Sequence, residues 1–313
     1  MKNTHAIMFR SPYLVRQERA GYKYALARVL SLVVVLTCAA GHAARSEEPA
    51  TPTAKADACV RSAFHVIVDV GHTVAVPGAD SARGATEYSY NLQLADVIKQ
   101  ALVEAGFDKT VRLITATAPW HGLVERADRA NNAHADLFIS IHHDSVPDHL
   151  IETWQYEGQE KHYSDRFSGY ALFVSNDNAD RAGSLAFGHL LGMELQKRGL
   201  HYTPHYTLPL MGRYRRALLD AEAGVYRYDQ LIVLRHTMMP AVLVEAGSIV
   251  NRQEELELAK PERRLLVAKA VTAAVEDFCA TRTQPVAVRQ VKRPATAGAP
   301  DRAKPAALAH RAH

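Results

Sequence analysis

Four side chains able to bind a metal or carry a proton stand at abrupt stops in the apolar pattern: His72, Glu87, His142 and Glu245. His72 follows "VIVDVG", His142 closes "LFISIH" and Glu245 closes "AVLVE", while Glu87 opens a stretch with helical apolar spacing. Two imidazoles, one carboxylate and an open position for water are what a hydrolytic zinc site needs. A further carboxylate can then accept the proton of the attacking water. Taken singly, each residue has a plainer use. A histidine at a strand end is more often a solvated loop residue, and a glutamate in the first turn of a helix suits the helix dipole. Glu245 is the most informative, because a carboxylate interrupting an apolar strand is costly unless it has a task. His143 points away from the face of His142 along a regular strand, so it reads as a structural neighbour of the site.

The segments that must hold these residues alternate in type. Residues 66–70, 110–116, 135–143, 169–175, 230–236 and 241–247 read as strands, and 87–105, 123–135, 184–200 and 262–279 as helices. Asn251 followed by Glu254 has the form of a capping box opening a further short helix. This alternation predicts an α/β fold: a single domain with a mostly parallel twisted sheet flanked by helices. The zinc site falls at the carboxyl ends of the strands, where such sheets place their ligands. Residues 144–168 and 201–229 are long connections rich in Tyr, His and Arg, and long loops in compact domains are usually functional or mobile.

The ends of the 313-residue chain differ from its middle. A basic stretch followed by "ALARVLSLVVVLTCAAGHAA" predicts a secretory signal peptide over residues 1–43, its apolar run too short and poorly flanked for a membrane span. Residues 44–58 read as a linker, 59–280 as the catalytic domain, and 281–313 as a disordered basic tail rich in Pro and Ala. The ends carry the positive charge. Of the net +4, residues 1–44 hold six Lys/Arg against one acid and residues 281–313 seven against one, which leaves the core at −7. No basic face calls for nucleic acid. With Cys38 leaving in the leader, Cys59 and Cys279 bracket the domain of an exported protein and are candidates for a disulfide, the alternative being two unpaired thiols.

Three longer stretches resemble one family. "VIVDVGHTVAVPGADSARGATEYSYNLQLADVIKQAL", "ERADRANNAHADLFISIHHDS" and "LRHTMMPAVLVEAGSIVNRQEEL" are similar, in order, to the D-x-G-H, the R-x-x-x-A-N…S-I-H and the P-A-V-L-V-E-x-G segments of the zinc-dependent N-acetylmuramoyl-L-alanine amidases. The resemblance spans about residues 63–279. It implies one zinc ion held by His72, Glu87 and His142, with Glu245 as the catalytic carboxylate. It implies peptidoglycan as the partner, in the periplasm or cell envelope, and hydrolysis of the amide between the lactyl group of N-acetylmuramic acid and L-alanine of the stem peptide. It leaves room for an activator protein, and for a blocking segment, for which residues 144–168 are the place to look. Val70, Asp144 and Ser248 stand where the family usually has proline, asparagine and phenylalanine; none of these removes a ligand or the base. Two alternatives remain at this level. One is a zinc peptidase acting within the stem peptide; the other is a non-catalytic wall-binding or regulatory protein on the same fold.

Overall fold

The computed structural model describes residues 59–116 and 119–282. The expected signal peptide, linker and tail lie outside the described residues, except that residues 281–282 complete the last helix. Strands β1 (Val66–Val70), β2 (Val111–Leu113) and β3 (Leu137–Asp144) alternate with helices α1 (Glu87–Glu104) and α2 (Pro119–Asn132). A hairpin of β4 (Glu152–Tyr156) and β5 (Gln159–Tyr163) comes next, then β6 (Ala171–Val174) and α3 (Arg181–Lys197). The chain ends with β7 (Leu218–Asp220), β8 (Val225–Arg227), α4 (Ile232–Arg235), β9 (Ala241–Ser248), α5 (Glu254–Leu258) and α6 (Pro261–Arg282).

Seven strands form one sheet in the order β2-β1-β3-β9-β6-β8-β7. The pairs from β2 to β9 are parallel, β6 runs antiparallel to β9, and β7 antiparallel to β8. The sheet is buried on both faces, which explains why β1 and β3 read as near-continuous apolar runs. Val66, Val68, Val70, Ile139, Ile141, Val242 and Val244 pack under α1, α3 and α6. Ile67, Phe138 and Leu243, one residue out of phase, face Ala130 of α2 and Val233 and Leu234 of α4. Cys59 and Cys279 form a disulfide with Cα atoms 5.3 Å apart, tying the entry of the domain to its last helix. Among the described residues, no helix is long and apolar enough to cross a membrane.

Two readings of the pattern need correction. Residues 230–236, read as a strand, contain the short helix α4, because an apolar run of this length looks the same in a buried helix as in a strand. The capping box also forms differently. Asn251 Oδ1 accepts from the backbone N–H groups of Gln253 and Glu254 at 3.1 and 3.0 Å. The Glu254 carboxylate instead accepts from the N–H groups of Gly169 and Ser248, so it ties three segments together.

Candidate metal centre

Each site residue is held by the end of a different element. β1 runs into Gly71 and then His72, whose backbone is left-handed at φ 67°. That turn is gripped from α2: Arg126, itself buried, donates to Asp69 Oδ1 at 2.6 Å and to the carbonyls of Val70 and His72. Ser140 of β3 donates to the other oxygen of Asp69 at 2.7 Å. A buried charge is tolerated when paired and hydrogen-bonded on all sides, and this pair is. Gly71 is needed for a steric reason, since a Cβ there would lie 2.3 Å from Nε2 of His142. The imidazole of β3 thus packs directly on the backbone that presents His72.

Glu87 is the first residue of α1, placed by its N–H bonding to the Ala79 carbonyl at 2.8 Å. Its Oε2 lies 2.9 Å from His72 Nε2, and its Oε1 lies 2.8 Å from His142 Nδ1. Asn91, one turn along α1, donates to Oε1 at 3.1 Å, and the backbone N–H of His143 approaches it at 3.3 Å. Burial works to raise the Glu87 pKa, but the hydrogen bonds and charges of the two imidazoles outweigh it and hold this carboxyl well below the usual range. One donor atom from each of His72, Glu87 and His142 can be chosen so that all lie within 4.8 Å of one another. The two histidine side chains remain 29% and 17% exposed, facing a cavity of about 300 Å³.

Glu245 sits beside His142 in the β3–β9 register and lines the same cavity. Its Oε2 is buried without a hydrogen-bond partner among the described residues. Burial pushes its pKa well above the usual carboxylate range, and the negative charges of Asp144 and Glu87 push it further. The strand ends predicted to carry His72, His142 and Glu245 and the helix start predicted at Glu87 therefore converge on one cavity. His143 is kept out of the donor set. It is 3% exposed on the α1 side of the sheet, with Nδ1 2.8 Å from Asn91 Oδ1, and burial lowers its pKa to about 3.

Sequence reasoning named no role for Asn91, Arg126 or Tyr206. Asp69 and Arg126 had a signal, being charges placed on otherwise apolar faces 57 residues apart. Tyr206 had none. Its hydroxyl donates to Asp144 Oδ1 at 2.7 Å, so the aspartate that stands in place of the family's asparagine is hydrogen-bonded from the 201–229 connection. Burial raises the Asp144 pKa to about 7. Residues 145–148 border the cavity, while the β4–β5 hairpin is anchored by Trp154, whose indole N–H donates to the Ala82 carbonyl at 2.9 Å.

The donor set itself suits a hydrolytic zinc: two imidazole nitrogens, one carboxylate oxygen and an accessible side. The hydrogen bonds from Asn91 and His143 to Glu87 supply the outer support that ligating carboxylates normally have. The comparisons with known proteins agree with this architecture. The chain is 28% identical over 196 residues to an endolysin of Bacillus phage SPP1, a match covering 62% of this chain and 58% of that protein. It is 23% identical over 215 residues to a putative N-acetylmuramoyl-L-alanine amidase of Buchnera aphidicola, covering 68% of this chain and 95% of that protein. The fold superposes on the N-acetylmuramyl-L-alanine amidase Ami1 of Mycobacterium smegmatis with a TM-score of 0.53 at 18% identity, covering 70% of this chain and 98% of Ami1. Residues 66–277 match the family described as N-acetylmuramoyl-L-alanine amidase (Amidase_3), and the chain belongs to that family.

Proposed function

We propose that this protein is a zinc-dependent peptidoglycan amidase that hydrolyses the bond between the lactyl group of N-acetylmuramic acid and L-alanine of the stem peptide. The observation that carries the reading is the convergence of His72, Glu87 and His142 donors beside the buried, unpartnered Glu245 Oε2. His72, Glu87 and His142 would hold the metal. Zinc bound there supplies Lewis acidity, which polarises the amide carbonyl and makes water a nucleophile at neutral pH. Glu245 takes the proton of the attacking water and returns it to the departing amine, a role that its raised proton affinity and its seat on the adjoining strand support. Arg126 fixes the turn that carries His72, and Asn91 orients Glu87. The substrate lies outside the cytoplasm, in the periplasm or cell envelope, and the Cys59–Cys279 disulfide suits an oxidising compartment.

Digestion of purified muropeptides by the zinc-loaded protein, read by mass spectrometry, is the test. Intact stem peptides with a free L-alanine amine are the expected product. Shortened stems would make the protein a peptidase, and no product would make it a binder.

A further inference from the structure

Beside the metal cavity lies a second hollow of about 580 Å³ whose wall is built from arginines: Arg213, Arg215, Arg216 and Arg227. Tyr214, Arg216 and Tyr228 line both hollows, so the two adjoin. The setting makes this wall unusual. The core of the chain has a net charge of −7, and the metal cavity itself is ringed by Glu87, Asp144 and Glu245. Among the described residues, the one acid that lines the arginine hollow, Asp229, is already paired with Arg227. The other guanidinium groups have neutral partners. Arg213 donates to the Tyr214 hydroxyl at 2.8 Å and Arg215 to the Thr207 carbonyl at 3.1 Å. Arg216 donates to the carbonyls of Arg213 and Arg215 at 3.1 and 2.8 Å.

The wall is also built to stay in place. Gly212 turns the chain with φ 53° and ψ −121°, a conformation that L side chains rarely adopt, and so sends residues 213–216 along the rim. Arg216 is stacked 3.7 Å above the centre of the Tyr228 ring, and its Nε is buried with no partner among the described residues. Its backbone N–H donates to the Tyr206 carbonyl at 2.8 Å, and the Tyr206 hydroxyl in turn holds Asp144. A guanidinium that is stacked, positioned and short of an anion is prepared to meet a carboxylate, whose two oxygens match its fork.

We propose that this arginine wall is a carboxylate-binding subsite, which holds the free carboxyl groups of the peptide portion of the substrate beyond L-alanine. The inference rests on the amidase reading for the identity of the substrate. It makes the protein selective for stem peptides with ionised carboxyl groups over stems in which these are amidated. The wall offsets the repulsion that the carboxylates around the metal exert on an anionic peptide, and its effect weakens as salt rises.

The test is calorimetric titration of the full-length, zinc-loaded protein with L-alanyl-D-glutamate and with its diamide, products that the proposed activity cannot cleave further. The expected result is binding of the free acid about tenfold or more tighter than the diamide, a preference that falls as ionic strength rises. In the double variant Arg213→Gln/Arg215→Gln, whose altered side chains are exposed, that preference should weaken, and adding Arg216→Gln should abolish it, while circular dichroism and zinc content stay those of the parent. Equal affinities in the parent would overturn the proposal. So would a preference that survives when Arg216→Gln is added to the double variant, which would place the carboxylate outside this wall. Muropeptide digestion run alongside separates the two readings. If no stem peptide is released while the arginine-dependent preference holds, the subsite stands and the amidase reading falls; the opposite pattern removes the subsite and keeps the amidase.

Discussion

Glu245→Gln separates what this side chain does from what it costs. The amide keeps the volume of the carboxylate and cannot accept a proton at working pH. Loss of general acid–base assistance typically lowers the rate by about 10²–10⁴, or roughly 3–5.5 kcal/mol of barrier. Zinc should stay bound, since Glu245 contributes no atom to the His72, Glu87 and His142 donor cluster. Stability should move the other way. Oε2 has no partner, and burial together with Asp144 and Glu87 raises the pKa of Glu245 well above 4.5. Well below that value the side chain is protonated in both the folded and the unfolded chain, so it leaves the balance untouched. Above it the unfolded chain ionises while the folded site resists, so the parent loses stability as pH rises and glutamine removes that loss. The metal-free variant should therefore melt higher than the metal-free parent at about pH 8, by about 2–4 °C for each kcal/mol relieved, and the two should converge near pH 4. Turnover on muropeptides, zinc content and melting temperature, all on one preparation, decide it. Turnover within about tenfold of the parent would remove Glu245 from the mechanism, and a fall in melting temperature alongside the lost activity would make it a structural residue.

Three further outcomes follow from the contacts. His72→Ala, Glu87→Ala and His142→Ala should each lose zinc by elemental analysis, whereas His143→Ala should still fill at saturating metal with affinity lowered about 10–100-fold, because it touches the ligand set only through Asn91 and a backbone N–H. Reducing the Cys59–Cys279 bond, which spans 220 residues, should lower stability by up to about 5 kcal/mol on the chain-entropy argument; thiol labelling of the native protein should find neither cysteine free. Asp180→Ala removes the side-chain cap of α3 and an ion pair with Arg282, and should cost about 1 kcal/mol at neutral pH. Because this carboxyl titrates below 3.8 in the fold, the difference should persist above that pH and fade as acid protonates the parent; an unchanged difference at low pH in denaturant titrations would refute the charge component.

The four site residues were legible because each breaks a strong pattern. An imidazole ends an apolar strand, a carboxylate opens a helix, and a second carboxylate interrupts "AVLVEAG". Patterns of this kind are local, and so are the signals that reveal them. Arg126 shows the limit: its grip on the His72 turn spans 54 residues, and no spacing rule brings the two together. The β4–β5 hairpin was lost inside a long connection because Glu157 and Gly158, both at positive φ, form its turn in place of the expected Asn-Gly pair. β7 and β8 are three residues each, too short to show a period, and they gain their strand character from pairing at the edge of the sheet. Tyr206 and the arginine wall were hidden for the same reason, since the 201–229 connection takes its meaning from what it lies against.

The Cys59–Cys279 bond also has a mechanical consequence. Its two Cα atoms are 5.3 Å apart, and nearly the whole domain hangs as a closed loop between them. A pull applied through the chain before residue 59 and after residue 279 runs through one covalent bridge and never loads the strands in shear. The domain can then serve as a rigid inclusion in a tensioned polymer: force passes by it, and the spacing of His72, Glu87 and His142 is left undisturbed. Stretching single molecules held just outside Cys59 and Cys279 should show no unfolding step of the domain until a reductant is added, after which the sheet should begin to yield.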